Sequence, residues 1–201
     1  MSFDQEALSA VRSVCVYCSS AGHTDEIYNE VARDVGMALA HRKFRVVYGG
    51  GRRGMMGMLA DAALGAGGEV VGIIPAFIKE HEIQHTGLTE LYVVKDMHTR
   101  KRMMVEMSDA FVVLPGGFGT MDETFEILSW KQLGLHNKPI VLYNYNGFWN
   151  PLLELIEHMD AHGFVMPENT HSFATVTTHK GLFEALTAPP GPLMNPVTKW
   201  F

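Results

Sequence analysis

Apolar residues along the chain fall into short dense blocks, separated by longer stretches where they recur every third or fourth position. The short blocks cover 13–18, 45–48, 69–74, 90–94, 110–114, 139–143 and 172–176, and they are rich in valine and isoleucine. Most are apolar at consecutive positions, the pattern of strands covered on both faces, as in a parallel sheet. Between them, 25–42, 54–65, 97–108, 120–133, 148–161 and 180–186 carry the helical pattern. Strand and helix in alternation predict an α/β fold: a Rossmann-like, doubly wound, mainly parallel sheet flanked by helices. Such sheets bind ligands at the carboxyl ends of their strands, so the turns that leave strands are where chemistry is expected.

Length and composition narrow the classes. The 201 residues, 47% hydrophobic and 19% charged, suit one globular domain over 1–201, with a core over about 12–187 and a proline-rich tail at 188–201. Sixteen basic against 22 acidic residues leave a net charge of −6, and with no long basic run a nucleic-acid partner is not expected. No run reaches the roughly 18 apolar residues of a membrane span, so no membrane partner is expected either. The acidic N-terminus lacks the apolar block of a secretory signal. Cys15 and Cys18 cannot form a disulfide framework, which makes a reducing, cytoplasmic setting the expectation.

Two strand exits are glycine-rich. One runs Tyr48-Gly49-Gly50-Gly51-Arg52-Arg53-Gly54-Met55-Met56-Gly57, the other Leu114-Pro115-Gly116-Gly117-Phe118-Gly119-Thr120-Met121-Asp122-Glu123. Each precedes a predicted helix, where backbone N–H groups and the helix dipole favour a phosphate or carboxylate. Familiar motifs fit less well. Gly49-x-Gly51-x-x-Gly54 follows the second strand instead of the first, and Met55 stands where a P-loop needs lysine. His81-Glu82-Ile83-Gln84-His85 matches H-E-x-x-H but lies in a connection between strands, so no zinc site is expected. Cys15 and Cys18 are three apart on a strand and face opposite sides, unlike a redox pair.

Two charged residues stand out. On the helix over 97–108, Met97, Met103, Met104, Val105 and Met107 define an apolar direction, and Arg100 falls near its middle. An arginine there needs a bound anion or a buried carboxylate. Arg102 falls opposite, four residues before Glu106, as a surface ion pair. Thr120-x-x-Glu123 has the spacing of a capping box, which would make Glu123 a structural partner of the helix start. The alternative is that Glu123 faces a ligand held at that helix N-terminus, where a carboxylate stabilises a cationic sugar centre or positions water.

The second glycine turn resembles the PGGxGTxxE signature of the LOG family, the cytokinin-activating phosphoribohydrolases long labelled lysine decarboxylase-like. Met97-His98-Thr99-Arg100-Lys101 lies at the family's spacing upstream, and Gly49-Gly50-Gly51 with Gly54-Met55-Met56-Gly57 resembles its GGGxxGxMG turn. Trp130-Lys131-Gln132-Leu133-Gly134 and Lys138-Pro139 continue a likeness that covers about residues 12–187. It implies hydrolysis of the N-glycosidic bond of a nucleoside 5′-monophosphate, on a cytokinin riboside 5′-monophosphate, on AMP, or on both. It implies Arg100 and Glu123 as the catalytic pair. Gly116, Gly117, Gly119 and Thr120 would bind phosphate and ribose, with Glu82, Lys101, Ser129, Ser20 and Gly49–Gly51 as further substrate contacts. It also implies a homodimer and neither metal nor organic cofactor. Cys18-Ser19-Ser20-Ala21 departs from the family's Cys-Gly-Ser-Ser, and Asp122 replaces the commoner glutamate. A competing reading is a non-catalytic carrier of a nucleotide or phosphorylated cofactor on the same fold.

Overall fold

Consecutive apolar residues in a strand point alternately to the two faces of a sheet, so each face needs its own cover of helices. The computed structural model describes residues 11–79, 84–165 and 172–189 and shows that arrangement. In chain order the elements are β1 (Ser13–Tyr17), α1 (Glu26–His41), β2 (Arg45–Tyr48), α2 (Gly54–Gly65), β3 (Val70–Pro75) and α3 (Ala76–Lys79). Then come β4 (Glu90–Val94), α4 (Met97–Glu106), β5 (Ala110–Val113), α5 (Phe118–Gln132), β6 (Ile140–Tyr143), α6 (Asn150–Ala161), β7 (Ala174–Val176) and α7 (His179–Thr187). A 3₁₀ turn, Tyr145–Gly147, precedes α6. The expected H-E-x-x-H residues His81 and Glu82 and most of the expected tail lie outside the described residues.

The seven strands form one sheet in the order β4-β3-β2-β1-β5-β6-β7, every pair parallel. The chain steps outward from β1 to β4, then returns to the other side of β1 to lay down β5. The boundary between β1 and β5 is therefore the topological switch point, where the loops leaving neighbouring strands diverge and open a crevice.

The pleat sorts the core into two layers. Val14, Val16 and Cys18 join α1, α2 and α7 on one face, through Leu39, Leu59 and Leu182 among others. Cys15 and Tyr17 face the opposite layer, with Met104 and Val105 of α4 and Ile127 of α5. The two cysteines thus lie on opposite faces, both buried. Helices α1 and α2 pack closely because Gly36 has no side chain: a Cβ there would lie 2.3 Å from the carbonyl oxygen of Leu59. Among the described residues no helix is long and apolar enough to cross a membrane.

Candidate active site

Helix α4 starts at the carboxyl end of β4, with the Asp96 side chain accepting from the backbone N–H of Thr99 at 2.7 Å. Arg100 sits one turn in, on the apolar side that the sequence places it on, and is only 7% exposed. Its Nε donates to the carbonyl of Ile73 at 3.0 Å, and its Nη1 lies 3.1 Å from Oε1 of Glu123. The guanidinium fills space left by a glycine: a Cβ on Gly49 would stand 2.1 Å from Nη2. The first glycine turn, buried at Gly49–Gly51, therefore makes room for the arginine.

Glu123 is 4% exposed. Burial pushes its carboxyl up to about 6; Arg100 pulls the other way, and Asp122 adds to the rise. The capping-box expectation fails. Helix α5 begins at Phe118 with Gly117 as its cap residue and no side-chain cap, so Thr120 is already inside the helix. Thr120 instead folds back on Gly116, whose notional Cβ would lie 2.1 Å from its hydroxyl oxygen. Glu123 thus pairs with Arg100, and the α5 start, free of side-chain caps, lies at the switch point. Gly117 and Gly119 are exposed, with open space where their side chains would be.

The loop after β1 ties both glycine turns together. The N–H of Ser19 donates to the carbonyl of Pro115 at 3.2 Å, and Ser19 accepts from the N–H of Met56 at 3.2 Å. Ser20, next along, is half-buried and abuts Gly54, which takes a positive φ of 57°. Lys101 is engaged by carboxylates of α5: Nζ lies 3.1 Å from both Asp122 Oδ2 and Glu126 Oε1. Burial lowers its pKa, but the two carboxylates outweigh this and leave it raised. This clamp escapes sequence reading because the partners sit on another helix, although Asp122 and Glu126 are spaced i, i+4 on one face. Ser129 is exposed, about 9 Å along α5 from Glu123 at 1.5 Å per residue. Glu82 lies outside the described residues. Arg102 makes the expected exposed pair with Glu106, at 3.7 Å. His85, the second histidine of H-E-x-x-H, is buried and bonds Asp61 through Nε2 at 2.9 Å. No group of three metal-ligating side chains converges among the described residues.

These elements define a class: a parallel α/β sheet with a buried arginine–glutamate pair and two glycine turns, one leaving β5 at the switch point and one leaving the adjoining β2. Residues 56–186 match the family described as "Possible lysine decarboxylase". The chain is 46% identical over 185 residues to a cytokinin riboside 5′-monophosphate phosphoribohydrolase of Rhodococcoides fascians, covering 92% of this chain and 93% of that protein. It is 41% identical over 180 residues to a protein of the same name from Arabidopsis thaliana, covering 90% and 79%. The chain belongs to this family, the LOG family. The molybdenum cofactor carrier protein of Chlamydomonas reinhardtii has the same fold, with a TM-score of 0.67 at 20% identity, over 88% of this chain and 96% of that one.

Proposed function

We infer that the chain hydrolyses the N-glycosidic bond of nucleoside 5′-monophosphates, as the names of its relatives state for them. The observation that carries this reading is the buried Arg100–Glu123 pair, 3.1 Å apart, beside the glycine turn at the switch point. Water adds to the anomeric carbon, the carbon–nitrogen bond breaks, and the base leaves with the bonding electrons and a proton. The products are free base and ribose 5-phosphate. Glu123, as carboxylate, stabilises the oxocarbenium-like charge and orients the attacking water. Arg100 holds that carboxylate in place and offsets negative charge on the departing base or the phosphate.

The proposed phosphate and ribose cradle is Gly116, Gly117, Gly119 and Thr120 at the α5 N-terminus. Ser20, Gly49, Gly50 and Gly51 are proposed as substrate contacts opposite this cradle, with Lys101, Glu82 and Ser129 as further ones. Substrates of this class are cytokinin riboside 5′-monophosphates, AMP, or both. A carrier has no use for a buried carboxylate titrating near neutrality, so the pair favours catalysis. Decarboxylation of lysine on a pyridoxal Schiff base calls for an amine of lowered pKa. Lys101 is raised by its two carboxylates; burial lowers Lys131 and Lys138, but their Nζ groups are already engaged in donating to the carbonyls of Lys138 and Val105.

The assembly proposed is a homodimer in a reducing, cytoplasmic setting. Helices α5 and α6 share an apolar seam of Phe125, Leu128, Leu152 and Ile156. Leu155 on α6, Leu135 just after α5 and Phe164 just after α6 stand exposed, more large apolar surface than one copy needs to show water. Sedimentation should give twice the 22.3 kDa chain mass, and Leu155→Glu should shift it toward the monomer.

The deciding experiment incubates the protein with AMP, the other common nucleoside monophosphates and isopentenyladenosine monophosphate, and separates the products by chromatography. Free base together with ribose 5-phosphate is expected, and the ranking of substrates gives the base preference. Binding across the panel without release of base would point to the carrier.

A further inference from the structure

One contact outside the reacting pair, between a buried histidine and an exposed aspartate, links α2 to the first glycine turn. His85 is 6% exposed, and its Nδ1 accepts the backbone N–H of Gly87 at 3.1 Å. A ring nitrogen that accepts carries no proton, so the proton of the neutral ring is assigned to Nε2. Nε2 lies 2.9 Å from Oδ1 of Asp61, on α2, as a charge-assisted donor. The side chain of His85 is thereby fixed at both ring nitrogens.

Its main chain holds the turn. The N–H of His85 donates to the carbonyl of Gly50 at 3.1 Å, and the preceding Gln84 forms an antiparallel bridge with Gly51. The Tyr48 hydroxyl donates to the carbonyl of Gly51 at 3.1 Å from the other side. Gly50, at a φ of +78°, lies close against Ile73 and Ile74 of β3, and Ile73 accepts from Nε of Arg100. Gly49 is the residue whose missing side chain makes room for Nη2 of Arg100. A continuous path thus runs from Asp61 through His85 and the Gly50 carbonyl to the wall of the arginine.

We propose that Asp61 and His85 are positioning residues for the hydrolysis: the pair fixes the Gly49–Gly51 turn and, through it, the guanidinium of Arg100 against Glu123. This rests on the phosphoribohydrolase reading and extends it to two side chains that touch neither substrate nor reacting atoms. A buried histidine serving only local packing would change the melting temperature and leave turnover per folded molecule alone. A positioning pair changes kcat, because a displacement of about 1 Å at a catalytic group costs on the order of 100-fold and a partial loosening less.

The test uses Asp61→Ala, which removes an exposed side chain, together with Asp61→Asn, His85→Ala and the double alanine variant, all assayed well below their melting temperatures with AMP or whichever monophosphate the unaltered chain cleaves. Asp61→Ala is expected to lower kcat about tenfold with a much smaller change in KM. Asp61→Asn keeps an oxygen that accepts from Nε2–H and recovers most of the loss. The double variant falls no further than His85→Ala, because the two residues act as one unit. A kcat for Asp61→Ala within twofold of the unaltered chain, or losses that multiply in the double variant, overturns the proposal. Carboxyl-carbon NMR titration tests it independently of turnover. If Arg100 is displaced, Glu123 loses its partner and titrates higher in Asp61→Ala; an unchanged midpoint overturns the proposal even if no substrate is cleaved. Absence of base release by the unaltered chain would instead count against the functional reading.

Discussion

At Glu123 two effects of opposite sign meet. Burial favours the neutral acid and Arg100 favours the carboxylate, and the balance falls at about 6. At pH 7 such a group is roughly nine-tenths ionised. The rate of hydrolysis, as kcat/KM, should therefore rise along an acid limb centred near pH 6 and level off above it, which a pH–rate profile reads directly. Glu123→Gln should abolish that limb with nearly all turnover while leaving nucleotide binding measurable by calorimetry. Arg100→Ala should cost on the order of 100- to 1000-fold in kcat. Arg102→Ala, which breaks only an exposed pair, should stay within about twofold. Comparable losses at the two arginines would mean that the buried side of α4 is not the working side. Gly49→Ala should act like a milder Arg100 variant, since its Cβ would stand 2.1 Å from Nη2 and the guanidinium must yield.

At the scale of elements, the helices set how closely the layers approach. Gly36→Ala would press a methyl group onto the Leu59 carbonyl, 2.3 Å away, and force α1 and α2 apart. Overpacking of this kind costs about 1–3 kcal/mol, read as a lower urea midpoint, with turnover per folded molecule retained because the site lies elsewhere. Much at this scale is legible in the sequence. Strands β2 and β4 and helix α2 begin and end where the apolar pattern puts them. Arg100 is legible as a buried cation because helical periodicity alone turns it inward. The start of α5 is not, because Thr120-x-x-Glu123 imitates a capping box while Gly117, with no side chain to signal it, occupies the cap position. Helix α3, four residues long, and the 3₁₀ turn around Asn146, with its φ of 52°, are too short to show a period. The Lys101 clamp and the Asp61–His85 bond join residues 21 to 25 positions apart, and no local pattern carries such pairings.

The whole molecule bears the consequence of burying Glu123. Four elements meet around it: β1 and β5 create the switch point, α4 delivers Arg100 and α5 delivers the carboxylate. In the unfolded chain that carboxyl titrates near 4.5, and in the folded chain near 6. Between those values Glu123 holds more protons in the folded than in the unfolded chain, so its contribution to stability falls as pH rises through the window and levels off beyond it on either side. The size is about 2 kcal/mol, at roughly 1.36 kcal/mol for each pH unit between the two midpoints. Glutamine does not titrate, so the difference in unfolding free energy between the unaltered chain and Glu123→Gln isolates this one group. Urea unfolding of both proteins from about pH 4 to 7 should show the unaltered chain losing ground to the variant by about that amount across the whole range, most steeply between pH 4.5 and 6. The opposite slope would mean that the attraction of Arg100 outweighs burial, and the acid limb of the rate profile would then lie below 4.5. One carboxyl midpoint thus governs both curves. The pH at which the active site becomes competent is the pH at which the fold yields part of its stability.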